Sequence, residues 1–238
     1  MAKKKGNGQP KNLYNVNVNE LHIPEIGFYG LAEQMSEEQR EFAESILHNQ
    51  ITFCNAKAGT GKTTVAVAVA KFLYEYQLID KLVYIISPCE QQTLGHLPGD
   101  ADEKIAQYMG ALNDALVEIG EFPMQAMDEN QGWVVATSQV FMRGINLKKS
   151  CIIIDESQNF TKADLKRVLT RISDDCFVVC IGHDQQCDLR KPELSGFIPM
   201  MELFENLGRE RGLKVGNCKL TKNYRGLISQ VADELNIN

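Results

Sequence analysis

Residues 51–72 read ITFCNAKAGTGKTTVAVAVAKF, and the order of residue types in this stretch decides the fold. Four apolar or β-branched residues (51–54) form a short strand. A small-residue turn follows, and from Gly61 onward the apolar positions recur at helical spacing. Backbone amides at the start of such a helix point at an anion, because the first-turn N–H groups have no partner inside the helix. Gly59 and Gly61 let the chain curl closely around phosphate groups. Lys62 reaches β and γ phosphates, and the Thr63 hydroxyl suits a Mg²⁺ shell. Ala58, Gly59, Thr60, Gly61, Lys62, Thr63 and Thr64 are therefore the expected nucleotide-binding residues. Ala56 stands where such loops usually begin with glycine. A methyl group is the smallest departure, and it is tolerable if Ala56 keeps a negative φ.

Working outward, compact apolar runs recur at 82–87 (LVYIIS), 133–136 (WVVA), 151–155 (CIIID) and 176–182 (CFVVCIG). Between them lie helix-period segments at 63–76, 101–116 and 161–172. Strands buried on both faces and alternating with helices predict a three-layer α/β fold, a mostly parallel sheet with helices on both faces. A further helix is expected after Ser36, a candidate N-cap, with Phe42, Ile46 and Leu47 on its inner face. Residues 1–20 are rich in lysine, asparagine and glycine and are expected to form a flexible basic tail, leaving 21–238 as one domain.

The 151–155 run ends in two adjacent carboxylates. Successive residues at a strand end point in different directions, so Asp155 can face a metal while Glu156 faces the water that attacks a γ-phosphate. As a lone feature this pair would equally suit an N-cap of the next helix; beside a phosphate loop it favours hydrolysis.

The chain has 238 residues, a net charge of −6 and seven cysteines without CxxC spacing. That size suits one domain, and the charge argues against a broadly cationic nucleic-acid coat. An odd set of thiols in apolar runs suits reduced core cysteines rather than a metal framework. No apolar run approaches the roughly 20 residues of a membrane span, and a cytoplasmic, membrane-free protein is expected. Lys162 with Lys166, and Arg167 with Arg171, are spaced i, i+4, and form either a phosphate-tracking stripe or a solvated helix face. Lys148, Lys149 and the MAKKK start add local basic charge. Trp133 and Phe141 are the aromatics near a strand-end loop that could stack a base.

From about Ser36 to the C-terminus the chain resembles the PhoH-like family of P-loop ATPases and, more distantly, the RecA-like first half of superfamily 1 helicases. The resemblance rests on AGTGKT (58–63), LGHLPGD (94–100), FMRG (141–144), IIIDESQN (152–159), LTRI (169–172) and IGHDQQCDL (181–189). It implies a RecA-like core that binds and hydrolyses ATP with Mg²⁺, with Lys62 and Thr63 at phosphate and metal and with Asp155 and Glu156 as the metal-binding and water-activating pair. Gln186 falls where the family has a polar γ-phosphate sensor, and His183 replaces an aspartate there, with Asp184 as a partial substitute. MSEEQREF (35–42) is similar to a glutamine motif that reads adenine, which makes Gln39 the candidate base reader. LTKNYRG (220–226) looks like the helicase segment whose arginine approaches the nucleotide, which makes Arg225 catalytic. One core leaves a cleft open to solvent, so Arg225 or Arg143 is expected to face a neighbour's nucleotide in a ring-like homo-oligomer, a hexamer being the candidate form. The leading expectation is an ATPase coupled to single-stranded RNA or DNA. The alternatives are a nucleotide-dependent oligomeric scaffold with little turnover and a small-molecule phosphotransferase.

Overall fold

The computed structural model describes residues 17–87, 109–138 and 145–232. Six strands form one sheet: β1 (Ile51–Ala56), β2 (Lys81–Ile86), β3 (Val134–Ser138), β4 (Ser150–Ile154), β5 (Phe177–Gly182) and β6 (Val215–Leu220), in the order β3-β2-β4-β5-β1-β6. Every pairing is parallel. Parallel pairing requires long crossovers, and α1 (Glu37–His48), α2 (Lys62–Glu75), α3 (Gly110–Glu118), α4 (Pro123–Ala126), α5 (Lys162–Leu169) and α6 (Phe197–Leu203) lie along the chain between or before strands. A last helix, α7 (Leu227–Ala232), follows β6.

The two-residue repeat of the strands divides the core into two layers. Cys54, Tyr84, Ile153 and Ile181 point to one side, where α1, α2 and α3 pack, whereas Phe53, Ile85, Ile154 and Cys180 point to the other, against Leu165 of α5 and Phe197 of α6. Helix α2 is buried along Val65–Ala70, and alanines at 66, 68 and 70 let it lie close to the sheet and to neighbouring helices. The expected three-layer α/β architecture is the observed one.

Helix α1 begins as the sequence predicts. Ser36 Oγ accepts the Gln39 amide and Gln39 Oε1 accepts the Ser36 amide, a reciprocal cap. Strand β6 lies outside the apolar runs that mark the other strands. Its residues 217 and 219 are polar and exposed, since it is an edge strand with one buried face, and its hydrophobic signal is correspondingly thin. Gly216 is required here, because a Cβ would come 2.0 Å from Ser45 Oγ of α1. The 3-10 turn Val18–Glu20 is followed by Ile23, Phe28 and Ala32, all buried, so this leading segment lies against the α1–α2 layer. Among the described residues no helix is long and apolar enough to cross a membrane.

Candidate functional site

Strand β1 delivers the loop at residues 57–61 to the carboxyl edge of the sheet, between its neighbours β5 and β6. Ala56 is the last residue of β1, is buried, and is absent from the positive-φ residues, so the alanine substitutes for glycine without backbone strain. Gly59 and Gly61 adopt φ of +71° and +74°, the left-handed region that glycine enters freely. Thr60 is 1% exposed and its hydroxyl donates to the Lys57 carbonyl at 3.0 Å, closing the loop from within. Gly61 then caps α2 without a side-chain hydrogen bond to the first-turn amides, and Lys62 lies on the cavity wall.

Strand β4 ends beside this helix start. The Thr63 hydroxyl donates to Asp155 Oδ2 at 3.0 Å, and the Tyr84 hydroxyl donates to the same oxygen. Asp155 Oδ1 accepts the Glu156 amide at 2.8 Å. Asp155 is 2% exposed, and three donors compensate the removal of its carboxylate from water. Tyr84 is equally buried; that burial, reinforced by the adjacent carboxylate, holds its hydroxyl well above the usual tyrosine range and keeps it a donor.

The next residue turns away. Glu156 has φ of +49°, a left-handed conformation uncommon for a side-chain-bearing residue, and this aims its carboxylate into the cavity. Gln158, 1% exposed, holds it there: Nε2 donates to Glu156 Oε2 at 2.6 Å and to the Gln186 carbonyl at 3.0 Å, while Oε1 accepts the His183 amide at 3.0 Å. One amide thus ties the ends of β4 and β5 together.

The resulting cavity has a volume of about 410 Å³. Its walls are Leu31, Gln34 and Met35 from the leading segment, Asp114 and Glu118 of α3, and Tyr224 and Arg225 beyond β6, with Gly59–Thr64 as the floor. A slightly larger cavity, about 450 Å³, is lined by Gln50, Phe204 and Leu213 near the amino ends of the strands and contains no loop residue.

Several expected residues lie here in roles that the sequence did not disclose. Gln39 Oε1 is engaged in the α1 cap and Nε2 donates to the Thr60 carbonyl at 2.8 Å, so its amide braces the loop. Thr64 turns to Glu118 Oε2 at 2.9 Å. Ala58 sits in the loop but not on the cavity wall. Gln186 contributes its backbone to the Gln158 bond, and its side chain is exposed and away from the cavity wall. His183 is buried beside them, and its Nδ1 has no partner among the described residues. Arg225 lines the cleft of its own chain. The Tyr224 amide donates to the Gly59 carbonyl at 2.8 Å, and a Cβ on Gly59 would meet Asn223 Oδ1 at 2.5 Å and Arg225 Cγ at 2.8 Å. Arg225 thus packs against the phosphate loop of its own chain.

Other expectations are altered. Arg167 is paired to Asp164 and Lys149 to Asp80, each at 2.7 Å, which leaves Lys162 and Lys166 as the exposed cations of the α5 pattern. Trp133 is buried, stacked at 5.4 Å on Tyr74, and offers no open face to a base. Arg143, Phe141, LGHLPGD, FMRG and the lysines at 3–5 lie outside the described residues. Sequence reasoning missed Asn223, Gln158 and Tyr84 as supports of the site. Gln158 carried a signal, as a polar residue two positions beyond the carboxylate pair.

An all-parallel sheet carrying a phosphate loop before α2 and a buried aspartate at the end of β4 defines a P-loop NTPase core of the RecA-like class. The large terminase of a thermophilic bacteriophage is similar in fold, with a TM-score of 0.50 at 12% identity over 83% of this chain and 48% of that one. The chain belongs to the PhoH-like protein family, whose model matches residues 32–231. It is 33% identical over 198 residues to Protein PhoH of Escherichia coli, covering 78% of this chain and 56% of that protein. A PhoH-like protein of Synechocystis is 35% identical over 160 residues, 66% of this chain and 48% of the relative. The chain thus spans about half the length of these curated relatives.

Proposed function

We propose that the chain binds ATP with Mg²⁺ at this cleft and hydrolyses it. The observation that carries the reading is the 3.0 Å contact between Thr63 Oγ1 and Asp155 Oδ2, which joins the start of α2 to the end of β4. Two hard oxygen donors at this spacing fit Mg²⁺, and the open amides beside them fit phosphate oxygens. When bound, the cation offsets charge on the β and γ phosphates. The protein's own groups do the rest. Lys62 draws the phosphates onto the loop, Tyr84 and the Glu156 amide keep Asp155 oriented, and Glu156, held by Gln158, accepts a proton from the attacking water. Arg225 stabilises the charge developing on the transferred group. Leu31 and Met35 supply an apolar wall suited to a base.

Coupling to single-stranded RNA is the second part of the proposal, supported by the exposed pair Lys162 and Lys166 one turn apart on α5. An acceptor-directed phosphotransferase is less favoured, because the carboxylate aimed at the cavity suits activation of water. The six described cysteines are all free, which suits a reducing cytoplasm. A homo-oligomer is part of the proposal; Arg225 already lines the cleft of its own chain.

Phosphate release from ATP and GTP, with and without single-stranded RNA or DNA, compared with Lys62→Ala, tests the whole. The expected result is Mg²⁺-dependent release that rises with RNA and is lost in the variant. Release that persists in Lys62→Ala would assign the activity to something other than this cleft.

A further inference from the structure

Away from the nucleotide cleft, three side chains converge where the leading segment crosses α1. His48 Nε2 is 3.0 Å and His22 Nδ1 3.5 Å from the same oxygen, Oε2 of Glu44. All three donor atoms lie within 4.8 Å of one another. Two imidazoles and a carboxylate are the donors of a three-ligand zinc site, with a fourth position for water. Bonds of about 2.0–2.1 Å in a tetrahedron put neighbouring donors roughly 3.4 Å apart, and both nitrogen-to-oxygen separations fall within about half an ångström of that edge.

Two further features point to a cation. Glu44 Oε1 accepts the Ile23 amide at 2.8 Å, so the carboxylate is held by a second partner while Oε2 stays turned to the histidines. His48 is the last residue of α1, where the partial negative charge of the helix end favours a cation. His22 is 74% exposed in its side chain and Glu44 and His48 are 28% and 29% exposed, which gives an ion an entry path and a half-buried seat.

We propose that His22, Glu44 and His48 form a binding site for a divalent transition metal of the zinc class. The ion would clip the leading segment to α1. Ile23, one residue beyond His22, is 3% exposed, and the same segment runs on to Leu31 and Met35 of the nucleotide cleft. Helix α1 also carries Gln39, which braces the loop. The clip therefore joins two of the elements that border the cleft while remaining separate from its chemistry.

The test uses the full chain without nucleotide, so its outcome is independent of the ATPase proposal. Zn²⁺ affinity is measured against a chromophoric chelator, Co²⁺ is used as a spectroscopic substitute, and thermal melting is followed with and without Zn²⁺. The expected result is a single high-affinity equivalent, a cobalt spectrum without thiolate charge transfer, and a Zn²⁺-dependent rise in melting temperature. His22→Ala and Glu44→Gln each remove a direct ligand and should weaken binding by about 100-fold or more, beyond the cost of losing an outer-shell partner, and remove the rise. His22 is exposed, so its variant keeps the fold. No binding, affinity unchanged in both variants, or a thiolate band that assigns the metal to cysteine would overturn the proposal.

Discussion

Thr63 Oγ1 and Asp155 Oδ2 meet at 3.0 Å although 92 residues separate them in the chain. The contact makes the phosphate loop and the β4 carboxylate one site. Thr63→Val keeps the shape of the side chain and removes the hydroxyl. Mg²⁺-dependent phosphate release should fall by about two orders of magnitude, roughly 3 kcal/mol of transition-state stabilisation. A steady-state assay with a Mg²⁺ titration checks this, and the melting temperature should move little.

Glu156 and Gln158 divide two tasks, proton acceptance and orientation. Glu156→Gln should retain ATP and slow its hydrolysis about 10²- to 10³-fold. Gln158→Ala should also slow hydrolysis, and in addition cost about 1–3 kcal/mol of stability, because the buried His183 amide loses its acceptor. Nucleotide binding by calorimetry, single-turnover hydrolysis and chemical denaturation together separate the two.

Gln39 gives a test of loop bracing against base reading. If its amide holds Thr60, Gln39→Ala should weaken ATP and GTP by the same factor and lower stability by about 1 kcal/mol, because the Ser36 amide loses its acceptor while the Ser36 hydroxyl still caps α1. A loss confined to ATP would show that the amide reads adenine instead.

Arg225 lines the cleft of its own chain, so Arg225→Ala and Lys62→Ala should not rescue one another when mixed. Restored phosphate release in the mixture would mean that the arginine acts across a subunit boundary. Removal of Arg225 alone should lower the rate about 10³-fold.

Glu38 accepts the Thr221 amide and hydroxyl at 2.8 and 2.7 Å, and these bonds hold its carboxyl below the usual value. A depressed folded-state value contributes stability above the unfolded value of about 4.3, and that contribution is lost as pH falls through the folded one. Glu38→Gln should flatten the acid limb of the stability profile below about pH 4. Denaturation midpoints measured across the acid range check this.

The parts legible in the sequence are those set by neighbours along the chain. The β1 turn into α2, the Ser36 cap and the β-branched run ending in Asp155 are local patterns with a fixed period, and the structure reproduces them. Strand β6 was not legible, because an edge strand with Asn217 and Lys219 facing water has little periodic signal. The bracing of Thr60 by Gln39, the bond from Tyr84 to Asp155 and the approach of Asn223 to Gly59 join residues more than 20 positions apart. Such contacts are set by the packing of α1 and of the segment after β6 against the loop. Residue type alone suggested Gln39 as a base reader and Arg225 as a catalytic cation; their contacts with Thr60 and with Gly59 depend on how α1 and the segment after β6 pack on the loop.

The central claim is that one Mg²⁺–triphosphate sits between Thr63 and Asp155, and a crystal structure with Mg²⁺ and a non-hydrolysable ATP analogue tests it most directly. The account predicts phosphates against the amides of Gly59–Thr63, the ion about 2.1 Å from Thr63 Oγ1, and the Asp155 carboxylate bound to it directly or through one water. A triphosphate bound elsewhere, with Thr63 and Asp155 still bonded only to each other, would contradict it.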